Sequence, residues 1–246
     1  MITPYQSDIS KKEQVAAMFN NIAHRYDFLN HFLSLGIDKC WRKKAIRELT
    51  CIKPKKILDI ATGTGDLAMA ALALNPSEIV GIDISDEMLI YANRKVEKAG
   101  NGNIIRFEKG DSELINYPDL TFDAAMVAFG VRNFENVQQG INEIYRTISL
   151  GGKIVVLEFS RPKNFWIRKI YDFYFLKIVP FFGKLFSNDR RAYHYLPESV
   201  EAFPNGEPFL QFLANAGFVE LTYKPLTFGI ASIYTGLKPG KNSYGG

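Results

Sequence analysis

Apolar and polar positions follow two rhythms along this chain. Val15, Met18, Phe19, Ile22, Tyr26 and Leu29 recur at helical spacing, which predicts one or two amphipathic helices over residues 11–33, ahead of the first strand. Short apolar runs then take over. Ile57, Leu58, Ile60 and Ala61 read as a buried parallel strand, broken by Gly63-Thr64-Gly65 before a helix that opens at Asp66 and stops at Asn75-Pro76. Residues 79–83 form a second strand, and Ser85, Asp86 and Glu87 start a helix with Met88, Leu89 and Ala92 facing inward. Residues 104–108 and 122–129 are further strands. A helix over 135–150 ends at Gly151-Gly152, and residues 153–159 make a fifth strand. A short helix over 209–216 precedes strands over 218–224 and 228–237, which Pro225-Leu226-Thr227 separates as an antiparallel hairpin. Strands alternating with helices predict the α/β class, with a Rossmann-like sheet covered by helices on both faces.

One stretch breaks the rhythm. PKNFWIRKIYDFYFLKIVPFFGKLFSNDRRAYHYLPESV is crowded with aromatics, but Arg168, Lys169, Asp172, Lys177 and Lys184 interrupt it and Pro180 limits helix length, so it cannot span a bilayer. Trp166, Ile170, Phe173 and Lys177 share one helical spacing. The expectation is an amphipathic lid with a basic rim that accepts a lipid-like substrate and touches a membrane, against the plainer reading of core packing. The chain therefore divides into one domain over 1–246, with a helical segment over about 8–50, this insertion over about 161–204, and a disordered tail over 238–246.

Composition narrows the function classes. With 47% apolar residues in 246, the chain can bury a large core, while a formal charge of +4 and a pI near 8.9 are too mild to imply nucleic acid yet suit an anionic membrane surface. Cys40 and Cys51 have no metal or redox spacing, so a reduced compartment and no metal are expected. The first residues lack the apolar core of a secretion signal, which places the protein in the cytoplasm, visiting the inner face of the cell membrane.

The glycine turn carries the clearest chemistry. Gly63-x-Gly65-x-x-Ala68 fits the dinucleotide fingerprint, and Asp83 ends the next apolar run where an acid holds ribose hydroxyls. A diphosphate would meet Asp59 and Asp66, with no nearby Arg or Lys to compensate. S-adenosylmethionine has no phosphate and a cationic methionine end, which the same carboxylates favour; it is the cofactor read here, against an ordinary turn in which Asp66 caps a helix. Asp111, after the third strand, can accept from an adenine amino group while Ser112 holds the adjacent edge. Arg132 and Asn133 follow the fourth strand at the sheet's reactive end. Tyr26 and Asp27 stand beside His24 and Arg25, a dense set of proton-handling groups that a plain surface helix would also accommodate. His194 and Asp189 are further proton-handling candidates, although a lone His is more often structural.

These residues, in RYDFLN, LDIATGTGDLA, GIDISDEML, AFGVRNFEN, GGKIVVLEFSRP and YHYLPESVEAFPNGE followed by AGF, closely resemble the ubiquinone/menaquinone biosynthesis C-methyltransferases, a branch of the class I S-adenosylmethionine-dependent methyltransferases. The resemblance implies a seven-stranded sheet with its last strand antiparallel. It also implies cofactor contacts at Thr64, Asp83, Asp111 and Ser112, with Ala128 where some members have Ser. The activity implied is methyl transfer to a ring carbon of a prenylated quinol, with demethylmenaquinol favoured through the AFPNGE segment. Arg132 would stabilise the phenolate, with Tyr26 and Asn133 orienting the ring. A ubiquinone-pathway methoxy-benzoquinol, another lipid or a sterol stays open as substrate, as do a nicotinamide-dependent oxidoreductase and a non-catalytic lipid-binding assembly subunit. The partners expected are the quinol, the membrane surface and, in a homodimer, a second copy, with no nucleic acid.

Overall fold

Strands buried on both faces are apolar at most positions, and this dictates the centre of the molecule. The computed structural model describes residues 2–5, 7–27, 31, 34–174, 178 and 190–240. Strands β1 (Lys56–Ile60), β2 (Glu78–Asp83), β3 (Ile105–Lys109), β4 (Phe122–Ala128) and β5 (Ile148–Phe159) are mutually parallel, while β6 (Val219–Leu226) and β7 (Ala231–Leu237) form the closing hairpin. The order is β3-β2-β1-β4-β5-β7-β6, with β7 antiparallel to both neighbours. Helices α1 (Lys11–Ile22) and α2 (Ile37–Arg47) precede the sheet. Helices α3 (Asp66–Ala71), α4 (Asp86–Lys98) and α5 (Val137–Thr147) connect strands, α6 (Phe165–Phe173) and α7 (Arg190–Ala202) follow β5, and α8 (Glu207–Ala216) leads into the hairpin.

The period of two along each strand splits the core. Leu58, Ile60, Val80, Ile82 and Val127 pack against Ile141 and Ile144 of α5 and Phe209 and Leu213 of α8. Ile57, Ile79 and Met126 face the other way, onto Ile46 of α2, Leu67 and Ala71 of α3, and Val96 of α4. At Gly65, φ is +81° and an added Cβ would lie 2.6 Å from the Phe107 ring. Gly65→Ala is expected to lower stability by about 2–4 kcal/mol through backbone strain and overpacking, as chemical denaturation would measure.

Three expectations need correction. The helix ends at Thr147, and Ile148 already pairs with Phe122, so residues 148–150 belong to β5; the register shift that follows brings Gly152 so near Asp123 that a Cβ would sit 2.6 Å from its carbonyl oxygen. Strand β6 runs on through Pro225 and Leu226 to a turn at Thr227–Gly229, because an edge strand tolerates proline's missing N–H. The tail does not begin at 238. Lys238 is buried, its N–H donates to the Gly152 carbonyl (2.8 Å), and its Nζ donates to the carbonyls of Tyr145 (2.6 Å) and Ile148 (2.8 Å). No helix among the described residues is long and apolar enough to cross a membrane.

Candidate active site

Parallel strands end together, so the loops after β1, β2, β3 and β4 open one cleft at the carboxyl edge of the sheet. Gly63, Asp83, Asp111 and Ser112 all line it, and α1 roofs it with Lys12, Val15 and Phe19. Asp83 is held from behind: Oδ2 accepts from the N–H of Gly63 (2.8 Å) and Oδ1 from that of Ser85 (2.9 Å). Burial pushes its carboxyl above the ordinary value, and the backbone hydrogen bonds pull it back. Asp83 also lines the cleft, where a carboxylate suits ribose hydroxyls. Asp111 accepts from Lys12 Nζ (2.5 Å) and from the N–H of Glu113 (2.9 Å).

Asp59, Thr64 and Gly65 stand behind the turn rather than in the cleft. Asp59 is 1% exposed; Oδ2 accepts from Thr62 Oγ1 (2.6 Å), and Oδ1 has no hydrogen-bond partner among the described residues. Burial pushes its pKa up to about 7, against the Thr62 hydrogen bond. A carbon NMR titration of this carboxyl is expected to show its midpoint there. The folded form holds the proton more tightly than an unfolded chain with the ordinary value of 3.8, so the stability this group contributes is fully present below 3.8 and is lost as pH rises through about 7.

Asp66 is not the bare acid read from the sequence. Its Oδ1 accepts from Lys95 Nζ (2.5 Å), and Arg42 Nη2 (3.5 Å) and His31 Nε2 (3.4 Å) face its Oδ2. Against the effect of burial, Arg42 and Lys95 hold its carboxyl below the usual range. Arg42 also grips Asp38, which accepts from Ser34 Oγ (2.6 Å) and lies 2.8 Å from His31 Nδ1. Thr64 Oγ1 donates to Asp27 in the same network. Side chains 24 and more positions away supply these cations, so Asp66 does not carry the charge argument against phosphate. His31, Asp38 and Asp66 lie close enough to hold a metal, but their carboxylates already engage Arg42 and Lys95.

A second cavity, of about 510 Å³, opens beside the first. Its walls are mostly apolar, built by Met18 and Ile22 of α1, Trp41 of α2, Phe159 at the end of β5, Ile167 and Ile170 of α6, and Tyr195 and Leu196 of α7. Phe19, Tyr26, Phe129 and Asn133 line both spaces. Arg132, expected to stabilise the phenolate, sits in the turn after β4, and its Nη1 donates to Glu158 Oε1 (2.7 Å) and to the Phe129 carbonyl. Glu158, fully buried at the end of β5, also accepts from the N–H groups of Arg132 (3.3 Å) and Phe159 (2.8 Å). Arg132 Nε is buried with no partner among the described residues. Asn133 Oδ1 accepts from Tyr195 (3.2 Å), whose hydroxyl burial pushes up to about 12 and so keeps protonated as a donor.

His194 is not brought to this site. Helical period turns Ala192, Tyr195 and Leu196 of α7 inward and leaves His194 exposed, in a separate cavity of about 140 Å³ with Arg161, Asp172 and Glu198. Asp189 lies outside the described residues. Glu158, Tyr195, Lys12 and Arg42 are the site residues that sequence reasoning missed. Only Glu158 left a signal, as an acid closing a buried apolar strand, where a charge requires a partner.

Residues 7–238 match the ubiE/COQ5 methyltransferase family. The chain belongs to that family. It is 44% identical over 238 residues to a demethylmenaquinone methyltransferase of Bacteroides fragilis, spanning 96% of this chain and 97% of that one. It is 43% identical over 230 residues to a ubiquinone/menaquinone biosynthesis C-methyltransferase UbiE of Geobacter sulfurreducens, spanning 93% and 90%. The solved structure of a putative S-adenosyl-L-methionine-dependent methyltransferase from Methanococcus maripaludis, 19% identical, shares the fold with a TM-score of 0.65 over 92% of this chain and 96% of that one. This member of the ubiE/COQ5 family is an S-adenosylmethionine-dependent methyltransferase. Its residues fit the cofactor: Asp83 offers acceptors to a diol, Asp111 and Ser112 offer polar atoms further along the cleft, and a Cβ at Gly63 (φ +56°) would project toward Tyr26, where the cofactor needs room.

Proposed function

We propose that this protein methylates a ring carbon of demethylmenaquinol to give menaquinol, working at the inner face of the cell membrane without spanning it. The observation that carries this reading is the shared wall: Phe19, Tyr26, Phe129 and Asn133 border both the cofactor cleft and the large apolar cavity. An acceptor ring seated in the second space therefore lies beside a donor bound in the first. S-adenosylmethionine supplies an electrophilic methyl on a sulfonium.

The chain's own work is to seat the ring and make its carbon nucleophilic. Aromatic and aliphatic walls exclude water and hold the ring and the start of its prenyl tail. Arg132, whose side chain lines the large cavity, favours the phenolate of a ring hydroxyl seated against it, which pushes electron density onto the adjacent carbon. Because Glu158 pairs with the guanidinium, this help comes from a partly neutralised cation rather than from a free positive charge. Asn133, which lines both spaces and has its oxygen taken by Tyr195, has its amide N–H groups left to orient the ring. Tyr195→Phe is expected to lower kcat about tenfold with little change in KM, the effect of about 1.4 kcal/mol of lost orientation.

The reduced ring is required, since a quinone carbon is electrophilic. Methyl transfer from labelled S-adenosylmethionine tests this directly, with reduced demethylmenaquinol, its oxidised form and a ubiquinone-pathway methoxy-benzoquinol as parallel acceptors. Label in the reduced naphthoquinol alone is the expected result. Label in both quinols would make the enzyme dual-specific, and label in neither would remove the quinol assignment.

A further inference from the structure

The mouth of the large cavity is rimmed by exposed apolar side chains from three separate segments. Leu35, just before α2, is 82% exposed, Ile170 of α6 is 71% exposed, and Phe228, in the β6–β7 turn, is 77% exposed; all three also line the cavity. Helix α6 extends the same surface outward. Trp166, Ile170 and Phe173 form one stripe at helical spacing, with Phe165 beside it, and all four lie open to water. Exposed apolar surface continuous over three segments marks a contact with something apolar.

The charges around it identify the partner. Lys163 and Lys169 are exposed and Arg168 is half-buried, none with a carboxylate partner among the described residues, and Lys169 Nζ lies 4.6 Å above the Phe165 ring and 5.6 Å above Trp166. Asp172, the acid on this helix, is occupied by Arg161 (3.1 Å). The face thus combines aromatics with uncompensated cations, the chemistry that sits at the level of anionic lipid headgroups.

We propose that this rim docks the protein on an anionic bilayer, with the cavity mouth facing the acyl region, so that a prenylated ring passes from membrane to cavity without crossing water. The need for that passage rests on the quinol reading above; the docking chemistry stands apart from it. A protein seated on the rim would seal the mouth against substrate, whereas a bilayer covers the apolar rim and delivers the substrate through it.

The test uses the full chain, with phosphatidylcholine vesicles containing about one-third phosphatidylglycerol and with phosphatidylcholine alone. The wild type is expected to co-sediment with the anionic vesicles and to show a blue shift of tryptophan emission that Trp166→Phe removes. The triple variant Phe165→Ser/Trp166→Ser/Phe173→Ser, which leaves the cavity lining intact, is expected to partition at least about tenfold more weakly. Its S-adenosylmethionine binding and its turnover of a water-soluble short-tailed quinol stay at the wild-type level, which shows that it folds. Wild type that stays in solution, or that pellets no better than the triple variant, overturns the proposal. So does a lipid-free dimer that buries Trp166 and dissociates in the triple variant, which would make the rim a self-association face. Vesicle binding without any quinol methylation would instead remove the substrate reading and leave the docking surface standing.

Discussion

Glu158→Ala is expected to lower folding stability by about 3–5 kcal/mol and to abolish measurable methyl transfer. The Glu158 side chain is fully buried and that of Arg132 is 7% exposed, so neither charge is screened by water. Removing the carboxylate leaves a guanidinium in an apolar wall with, among the described residues, only the Phe129 carbonyl to accept from it, and it orphans the N–H groups of Arg132 and Phe159. The turn that carries Arg132 and Asn133 then keeps the Phe129 N–H bond to Leu157 but loses its ionic tie to β5. Glu158→Gln keeps the volume and one acceptor, and should fall between wild type and Glu158→Ala in both readouts. Chemical denaturation and turnover at saturating quinol measure the two effects; a stability loss under about 1 kcal/mol would mean that this pair does not hold the turn.

Asp83→Asn is expected to weaken S-adenosylmethionine binding about 100-fold. Two charge-assisted hydrogen bonds to ribose hydroxyls contribute about 1.5–3 kcal/mol each, and the amide retains part of one. There is also a conflict behind the side chain. Gly63 and Ser85 both point N–H groups at the carboxylate, so the new amide nitrogen must oppose one of them and displace the glycine turn or the start of α4. Calorimetric titration with the cofactor reads the change, and affinity within about threefold of wild type would show that Asp83 does not hold the ribose.

The fold was legible where burial acts alone. Ile57 on one face and Leu58 and Ile60 on the other are apolar because helices cover both faces of the sheet, and that run announces a parallel strand without further help. It was misread where a tertiary pairing overrides a local pattern. Ile141, Ile144 and Ile148 share a helical spacing, so the helix seemed to continue, yet Ile148 pairs with Phe122 and begins β5. The site divides in the same way. Gly63, Asp83, Asp111 and Ser112 follow strands and so fall at the reactive edge of any parallel sheet. Lys12 lies 99 positions from Asp111, and Tyr195 lies 62 from Asn133; nothing local in α1 or α7 points to either partner. The misjudged charge of the glycine turn has the same cause, since Arg42 and Lys95 reach Asp66 from helices on either side of it in sequence.

The shared wall between the two cavities is tested most directly by a crystal structure of the protein with S-adenosylhomocysteine and a reduced, short-tailed demethylmenaquinol. The ring is expected in the large cavity against Tyr26, Phe129 and Asn133, one oxygen toward Arg132, with a ring carbon about 3–3.5 Å from where the methyl would sit. A ring bound elsewhere, or seated with Phe19 and Tyr26 between it and the cofactor sulfur, would contradict it.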